Sequence, residues 1–218
     1  MSSRLLAEQG RLLYLIGDGR QGCVWRPSGG GTHVADQISV LGFAGSLRQG
    51  SYNRAALRAA LELAPAGMTI ETFDLAPIQP YNEDVKQRGF PPPEQEFRES
   101  IRAADALLIV TPEYNRGVSG VLKNAIDWAS RPPDQPFDGK PTAIFGASPG
   151  MIGTAVAQYD LRRCLGVLNA LVMNTPSVMI GNAAAKFDDQ GRLTDQPTRE
   201  IIGKLLVALA EWTRRCRT

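Results

Sequence analysis

The chain has 218 residues, 43% of them hydrophobic, and its 24 Lys and Arg against 22 Asp and Glu leave a net charge of only +2. That is material for one domain with a substantial core, and an even charge balance with no Lys/Arg cluster argues against a nucleic-acid partner. No apolar run approaches the ~20 residues of a membrane span, and Leu12 to Ile16 is too short for a secretory signal and runs into Gly-Asp-Gly, so a cytoplasmic protein with no membrane partner is expected.

Residues 1–37 differ from the rest. They hold Gly10, Gly17, Gly19, Gly22 and Pro27-Ser28-Gly29-Gly30-Gly31 without sustained periodicity, and read as a mobile N-terminal extension. The regular pattern begins at Ile38. Ile38 to Phe43 has the length and apolarity of a strand and ends in a Gly/Ser loop. Leu57, Ala60, Leu61 and Ala64 follow at helical spacing, and Pro65-Ala66-Gly67 stops the helix. Thr69 to Phe73 alternates like a strand. A Pro-rich stretch from Leu75 to Pro93 leads to a helix around Glu94 to Ala104.

Ala106-Leu-Leu-Ile-Val110 is continuously apolar, as in a strand covered on both faces. Leu122, Ala125, Ile126 and Ala129 mark the next helix, and Pro141 to Gly146 the next strand. Leu161, Leu165, Leu168 and Val172 mark a helix, Ser177 to Ile180 a last strand, and Ile202, Leu205, Leu206 and Leu209 a C-terminal helix. Strand–helix units of this length predict an α/β protein, a doubly wound five-stranded parallel sheet with right-handed crossovers. The flavodoxin-like order 2-1-3-4-5 fits, and it places ligands beyond the carboxyl ends of the strands. The loops after Phe43, Val110 and Gly146 are therefore where a site is expected.

The first loop, Gly45-Ser46-Leu47-Arg48-Gln49-Gly50-Ser51-Tyr52-Asn53, enters a helix. A helix N-terminus offers free N–H groups and a positive dipole end. Two glycines admit close backbone approach, Ser46, Ser51 and Asn53 add polar groups, and Arg48 adds charge. The set suits one terminal phosphate; ordinary helix capping is the competing explanation. The spacing Gly45-x4-Gly50 matches a Walker A loop, but Ser51-Tyr52 replaces its Lys-Ser/Thr, which disfavours nucleotide triphosphate hydrolysis.

Two further motifs are weaker. Gly17-Asp18-Gly19-Arg20-Gln21-Gly22 matches G-x-G-x-x-G, but no helix can follow it. Gly146-Ala147-Ser148-Pro149-Gly150 matches the G-x-S-x-G nucleophile elbow between a strand and a helix, so a serine hydrolase using Ser148 is an alternative. Its triad needs a histidine after the serine, whereas the sole histidine is His33. Three scattered cysteines, Cys23, Cys164 and Cys216, form no C-x-x-C, and neither a disulfide framework nor a metal site is expected.

After the third strand runs Thr111-Pro112-Glu113-Tyr114-Asn115-Arg116-Gly117, continuing to Leu122-Lys123-Asn124-Ala125-Ile126-Asp127-Trp128. Together with Gly45-Ser46-Leu47-Arg48 and Ser51-Tyr52-Asn53, this resembles the NADPH-dependent FMN reductase family, nearest the bacterial soluble quinone and chromate reductases. The resemblance runs from Ile38 to the C-terminal helix. It implies FMN as cofactor and NADPH or NADH as co-substrate. By it, Ser46, Arg48, Ser51, Tyr52 and Asn53 belong to the phosphate end of the cofactor site. Pro112, Glu113, Tyr114 and Asn115 border the isoalloxazine ring, and Ser148 and Gly150 line its other edge.

The implied activity is hydride transfer from NAD(P)H to FMN and on to quinone, azo, nitro, chromate or free-flavin acceptors by a ping-pong mechanism, with no catalytic side chain. A flavodoxin-like electron carrier without turnover is the other reading. The resemblance also implies a homodimer or homotetramer, for which the helix from Leu122 and the helix with Tyr159 and Arg162 are candidate interface elements. Lys123, Asn124 and Asp127 read as a solvated or capping helix face. Arg116 stands where an aromatic or apolar residue is expected.

Overall fold

The period-two alternation along the strands sorts their side chains onto two helical layers. In a computed structural model, residues 37–217 are described, together with the backbone of Ala7–Glu8 (β1) and Arg11–Leu12 (β2), which pair antiparallel. The chain divides into units Met1–Ala35 and Asp36–Thr218. The G-x-G-x-x-G match, Cys23, His33 and nearly all of the expected extension lie outside the described residues.

The second unit runs β3 (Ile38–Ala44), α1 (Tyr52–Glu62), β4 (Met68–Phe73), α2 (Glu83–Lys86), α3 (Pro92–Ala103) and β5 (Ala106–Val110). There follow β6 (Glu113–Tyr114), β7 (Gly117–Val118), α4 (Gly120–Ala129), β8 (Pro141–Ala147), α5 (Ala155–Val167), β9 (Leu171–Val172), β10 (Val178–Ile180) and α6 (Gln196–Cys216). The parallel sheet is ordered β10-β8-β5-β3-β4, with β9 also on β8. Numbered by position along the chain, this is the expected 2-1-3-4-5. Its fifth place is shared: β9 pairs with Pro141 and Thr142 at the start of β8, and β10 with Phe145 to Ala147 at its end.

Ile38, Val40, Ala106, Leu108, Val110, Ala143 and Phe145 pack against α1 and α6. Leu41, Phe43, Leu107, Ile109 and Ile144 face α3, α4 and α5. All five residues of β5 are buried, which explains its unbroken apolarity. Phe43 meets Phe97 of α3 edge-on at 5.1 Å between ring centroids.

Two expectations shift in register. In α1 the buried stripe is Asn53, Ala56, Leu57 and Ala60, while Leu61 faces solvent. Helix α5 ends at Val167, and Asn169 at φ 54° turns the chain so that Val172 joins β9 rather than the helix. The Pro-rich loop is pinned from two sides. Trp128 Nε1 and Asn124 Nδ2 donate to Gln79 O at 2.8 and 2.9 Å, and Gln79 N donates to Glu94 Oε1 at 2.9 Å. Asn124 thus belongs to the fold, whereas Lys123 and Asp127 form an exposed ion pair at 2.7 Å.

Candidate cofactor site

Three loops leave the carboxyl ends of adjacent strands β3, β5 and β8. Gly45 closes the first, its N–H donating to Val110 O at 2.9 Å. A Cβ there would lie 2.8 Å from Ser119 Oγ, 2.9 Å from Leu122 Cβ and 3.0 Å from Pro112 Cδ, so only glycine brings loop and neighbour this close. Beyond it, Ser51 N donates to Arg48 O at 3.1 Å. Among the described residues the N–H groups of residues 46–50 between these bonds have no partner. Ser51 is the N-cap of α1, its hydroxyl oxygen accepting from Asn53 N and Arg54 N at 3.2 and 3.4 Å. Its own proton is left to donate. Ser46 and Ser51 are buried, Arg48 is exposed, and the Arg48 guanidinium sits 5.8 Å from the Tyr52 ring, which packs on Phe187. Free N–H groups, a hydroxyl, a cation and a helix N-terminus make an anion cradle.

The second loop is a hairpin that the strand pattern did not reveal. β6 and β7 pair Glu113 with Val118 and Tyr114 with Gly117, leaving Asn115 and Arg116 as a two-residue turn at φ 51° and 61°. Both central residues have positive φ, which is the type I′ signature; asparagine suits the first position, and arginine is an uncommon second. Tyr114 stands 56% exposed. The Glu113 side chain is only 10% exposed and points away from solvent. Its Oε2 accepts from Ala157 N at 3.1 Å, the third N–H of α5, and its Oε1 lies 3.7 Å from Arg116 Nη1. Thr154, the N-cap of α5, makes no side-chain cap bond, so Glu113 performs that service from another element. Arg116 is thereby paired within its own hairpin.

The third loop explains its own glycines. A Cβ on Gly146 would collide with Thr111 O and Thr154 Oγ1, which binds β8 tightly to the second loop. Ser148 N donates to Ile180 O at 2.9 Å, and its hydroxyl accepts from Gly150 N at 3.1 Å. Gly150 is exposed, and a Cβ there would meet only Ser148 Oγ, at 3.5 Å. This is not a nucleophile elbow. Ser148 is not among the positive-φ residues, and α5 begins seven residues later, at Ala155.

Sequence reasoning missed Ser119. Buried at the N-cap of α4, it donates to Gly45 O at 2.7 Å and accepts from Leu122 N at 3.3 Å, joining the first and second loops. A serine three residues ahead of the periodic Leu122 was the available signal. Asn53 is buried, 4% exposed, with its amide on Ala147. On the helix expected at an interface, Arg162 donates to Met173 O at 2.9 Å and Tyr159 stands 65% exposed.

The model of the NADPH-dependent FMN reductase family matches residues 38–185, which contain all three loops. The chain belongs to that family. It is 59% identical over 184 residues to an NAD(P)H-dependent FMN reductase of Pseudomonas aeruginosa, covering 84% of this chain and all of the relative. It is 44% identical over 187 residues to a quinone reductase of Escherichia coli, again covering 84% of this chain and all of the other. Among solved structures, a flavoenzyme NAD(P)H:acceptor oxidoreductase of Paracoccus denitrificans superposes with a TM-score of 0.75 at 33% identity, over 82% of this chain and 98% of that one. The family's expected fold, cofactor chemistry and oxidoreductase class stand on these matches and on the sheet order above. No helix among the described residues is long and apolar enough to cross a membrane.

Proposed function

We propose that this member of the FMN reductase family holds FMN across the three loops and uses NAD(P)H to reduce quinones or related acceptors. The observation that carries the placement is the run of N–H groups at residues 46–50 with no partner among the described residues, ahead of a serine-capped helix. The loop offers a cradle for one phosphate, which fits a mononucleotide.

In this reading Ser46, Arg48 and Ser51 hold the phosphate, with the Arg48 guanidinium lying over the Tyr52 ring. The Pro112 to Asn115 hairpin and the Ser148 to Gly150 turn border the ring from either side. FMN, when bound, supplies a two-electron carrier that accepts hydride from the reduced nicotinamide and passes electrons on. The chain's own task is binding, orientation and exclusion of water. Both Glu113 oxygens are engaged, one by Ala157 N and one by Arg116, so this carboxylate orients the hairpin rather than moving protons. Tyr114 presents a flat apolar body at the mouth. With FMN held there, donor and acceptor would enter the site in turn, which would give ping-pong kinetics. We further assign the chain to the cytoplasm, where its free Cys164 and Cys216 stay reduced, and to a homodimer or homotetramer in which exposed Tyr159 is an anchor.

The test is direct. Protein reconstituted with FMN is heated, and the released cofactor is identified by mass; turnover of NADPH and NADH with a quinone is then followed. FMN release and steady consumption of either nicotinamide are expected. Recovery of FAD, or of no flavin, refutes the cofactor assignment, and a single reduction without turnover makes the chain an electron carrier instead.

A further inference from the structure

The phosphate end and the ring end of the proposed site belong to different elements, and one side chain joins them. Asn53 is the second residue of α1, within the first turn of the helix that the cradle feeds. Its Nδ2 donates to Ala147 O at 2.9 Å, and its Oδ1 accepts from Ala147 N at 2.8 Å. Ala147 is the last residue of β8, immediately ahead of the Ser148 to Gly150 turn.

The reason for this pairing lies in the sheet. β5 leaves the ladder after Thr111 N donates to Phe145 O at 2.9 Å. Backbone groups alternate sides along a strand. Ser148 N points to the β10 side, onto Ile180 O, so the N–H and C=O of Ala147 point to the side that β5 has vacated. Both are buried, and unpaired they would each carry a desolvation cost. The Asn53 amide, one donor and one acceptor in a single plane, takes the missing strand's place.

We infer that Asn53 is a positioning residue that sets the ring-bordering turn at Ser148–Gly150 against the phosphate cradle, and not itself a phosphate ligand. The inference rests on the FMN reading above. Its acceptor and one of its two donors are spent on Ala147, and the side chain is 4% exposed. What the residue fixes is the place of the turn that borders the ring, which FMN and riboflavin share.

Riboflavin, which has the ring and no phosphate, separates the possibilities. Dissociation constants of FMN and riboflavin are measured by quenching of flavin fluorescence in wild type, Asn53→Ala and Arg48→Ala, with the melting temperature of each apoprotein recorded. Loss of the two-bond bridge weakens FMN and riboflavin alike, by about tenfold each, the equivalent of ~1.4 kcal/mol. The preference for FMN over riboflavin then stays at its wild-type value in Asn53→Ala and falls in Arg48→Ala. A loss confined to FMN in Asn53→Ala overturns the inference, because it makes Asn53 a phosphate ligand. A lowered melting temperature with both affinities intact also overturns it, leaving only a structural bridge. Should Asn53→Ala not fold, Asn53→Ser carries the same comparison with a shorter polar side chain. Wild type that binds neither flavin would strike the FMN reading itself, a result distinct from any of these.

Discussion

Replacing Glu113 by alanine removes the acceptor at the N-terminus of α5. Ala157 is fully buried with the carboxylate on its N–H. A hydrogen bond to a charged acceptor is worth roughly 1.5–3 kcal/mol. The ion pair to Arg116 adds less than ~0.5 kcal/mol, because the guanidinium is 70% exposed and the separation is 3.7 Å. Glu113→Ala should therefore cost about 2 kcal/mol, or roughly 4–8 °C in melting temperature for a domain of this size. Glu113→Gln keeps an acceptor and loses the charge beside the helix dipole, a loss of about 0.5–1 kcal/mol. Urea unfolding of the apoprotein, read as a midpoint shift at constant slope, measures both. An unchanged midpoint in Glu113→Ala would show that α5 needs no cap from the hairpin. Equal losses in the two variants would show that charge rather than hydrogen bonding is what matters.

Arg48→Ala should weaken FMN binding by about 10- to 150-fold, the equivalent of roughly 1.5–3 kcal/mol, with an unaltered melting temperature; an unchanged titration removes Arg48 from the site. Ser148→Ala gives up one neutral hydrogen bond worth ~1 kcal/mol and should keep most NADPH–quinone turnover, whereas Gly150→Val adds bulk at the exposed turn and should harm it far more. Loss of esterase activity in Ser148→Ala, with no flavin-dependent NADPH oxidation in wild type, would reverse that ranking of chemistries. Burial pushes the Asp105 carboxyl up, but hydrogen bonds from Ser39 N, Arg217 and Ser39 Oγ outweigh it and hold the group below the usual carboxylate range. A depressed folded pKa stabilises the protein above the ordinary carboxylate value and ceases to as pH falls through the folded value. Asp105→Asn should thus cost about 1 kcal/mol at neutral pH, and the gap should close in strong acid; a gap independent of pH refutes it. A chain beginning at Gln37 should keep its melting temperature and NADPH oxidation rate, and a large drop in either would make residues 1–36 part of the working structure.

The sheet was readable because burial dictates composition there. β5 is covered on both faces and reads as five apolar residues, and the glycine and serine after β3 announce the cradle. The hairpin was not readable, since β6 and β7 are two residues each and too short for any period. Its turn was also masked by Arg116, which occupies a left-handed position where the usual signal is glycine. β9 escaped for the same reason of length, and Val172 fell by coincidence on the helical spacing of α5. Among the site residues, Ser51 could be assigned from its place before a helix. Glu113 and Asn53 could not be, because their partners Ala157 and Ala147 are distant in sequence and are backbone groups, which leave no trace in residue type.

The shared fifth place of the sheet bears on how copies of this chain avoid one another in the crowded cell. An open edge with a row of unpaired backbone groups invites strand addition and aggregation. On this side the edge is broken between Val172 and Val178, and Pro176 in the gap has no N–H to offer. The longer remaining piece is three residues, and the Trp212 indole N–H sits on Leu171 O at 2.7 Å, covering the shorter one. At the opposite edge β4 carries Glu71 at its centre, exposed to solvent, so an incoming second β4 would meet like charge. Joining β9 to β10 into one continuous strand would lengthen the ladder and, by the same logic, make the protein stickier.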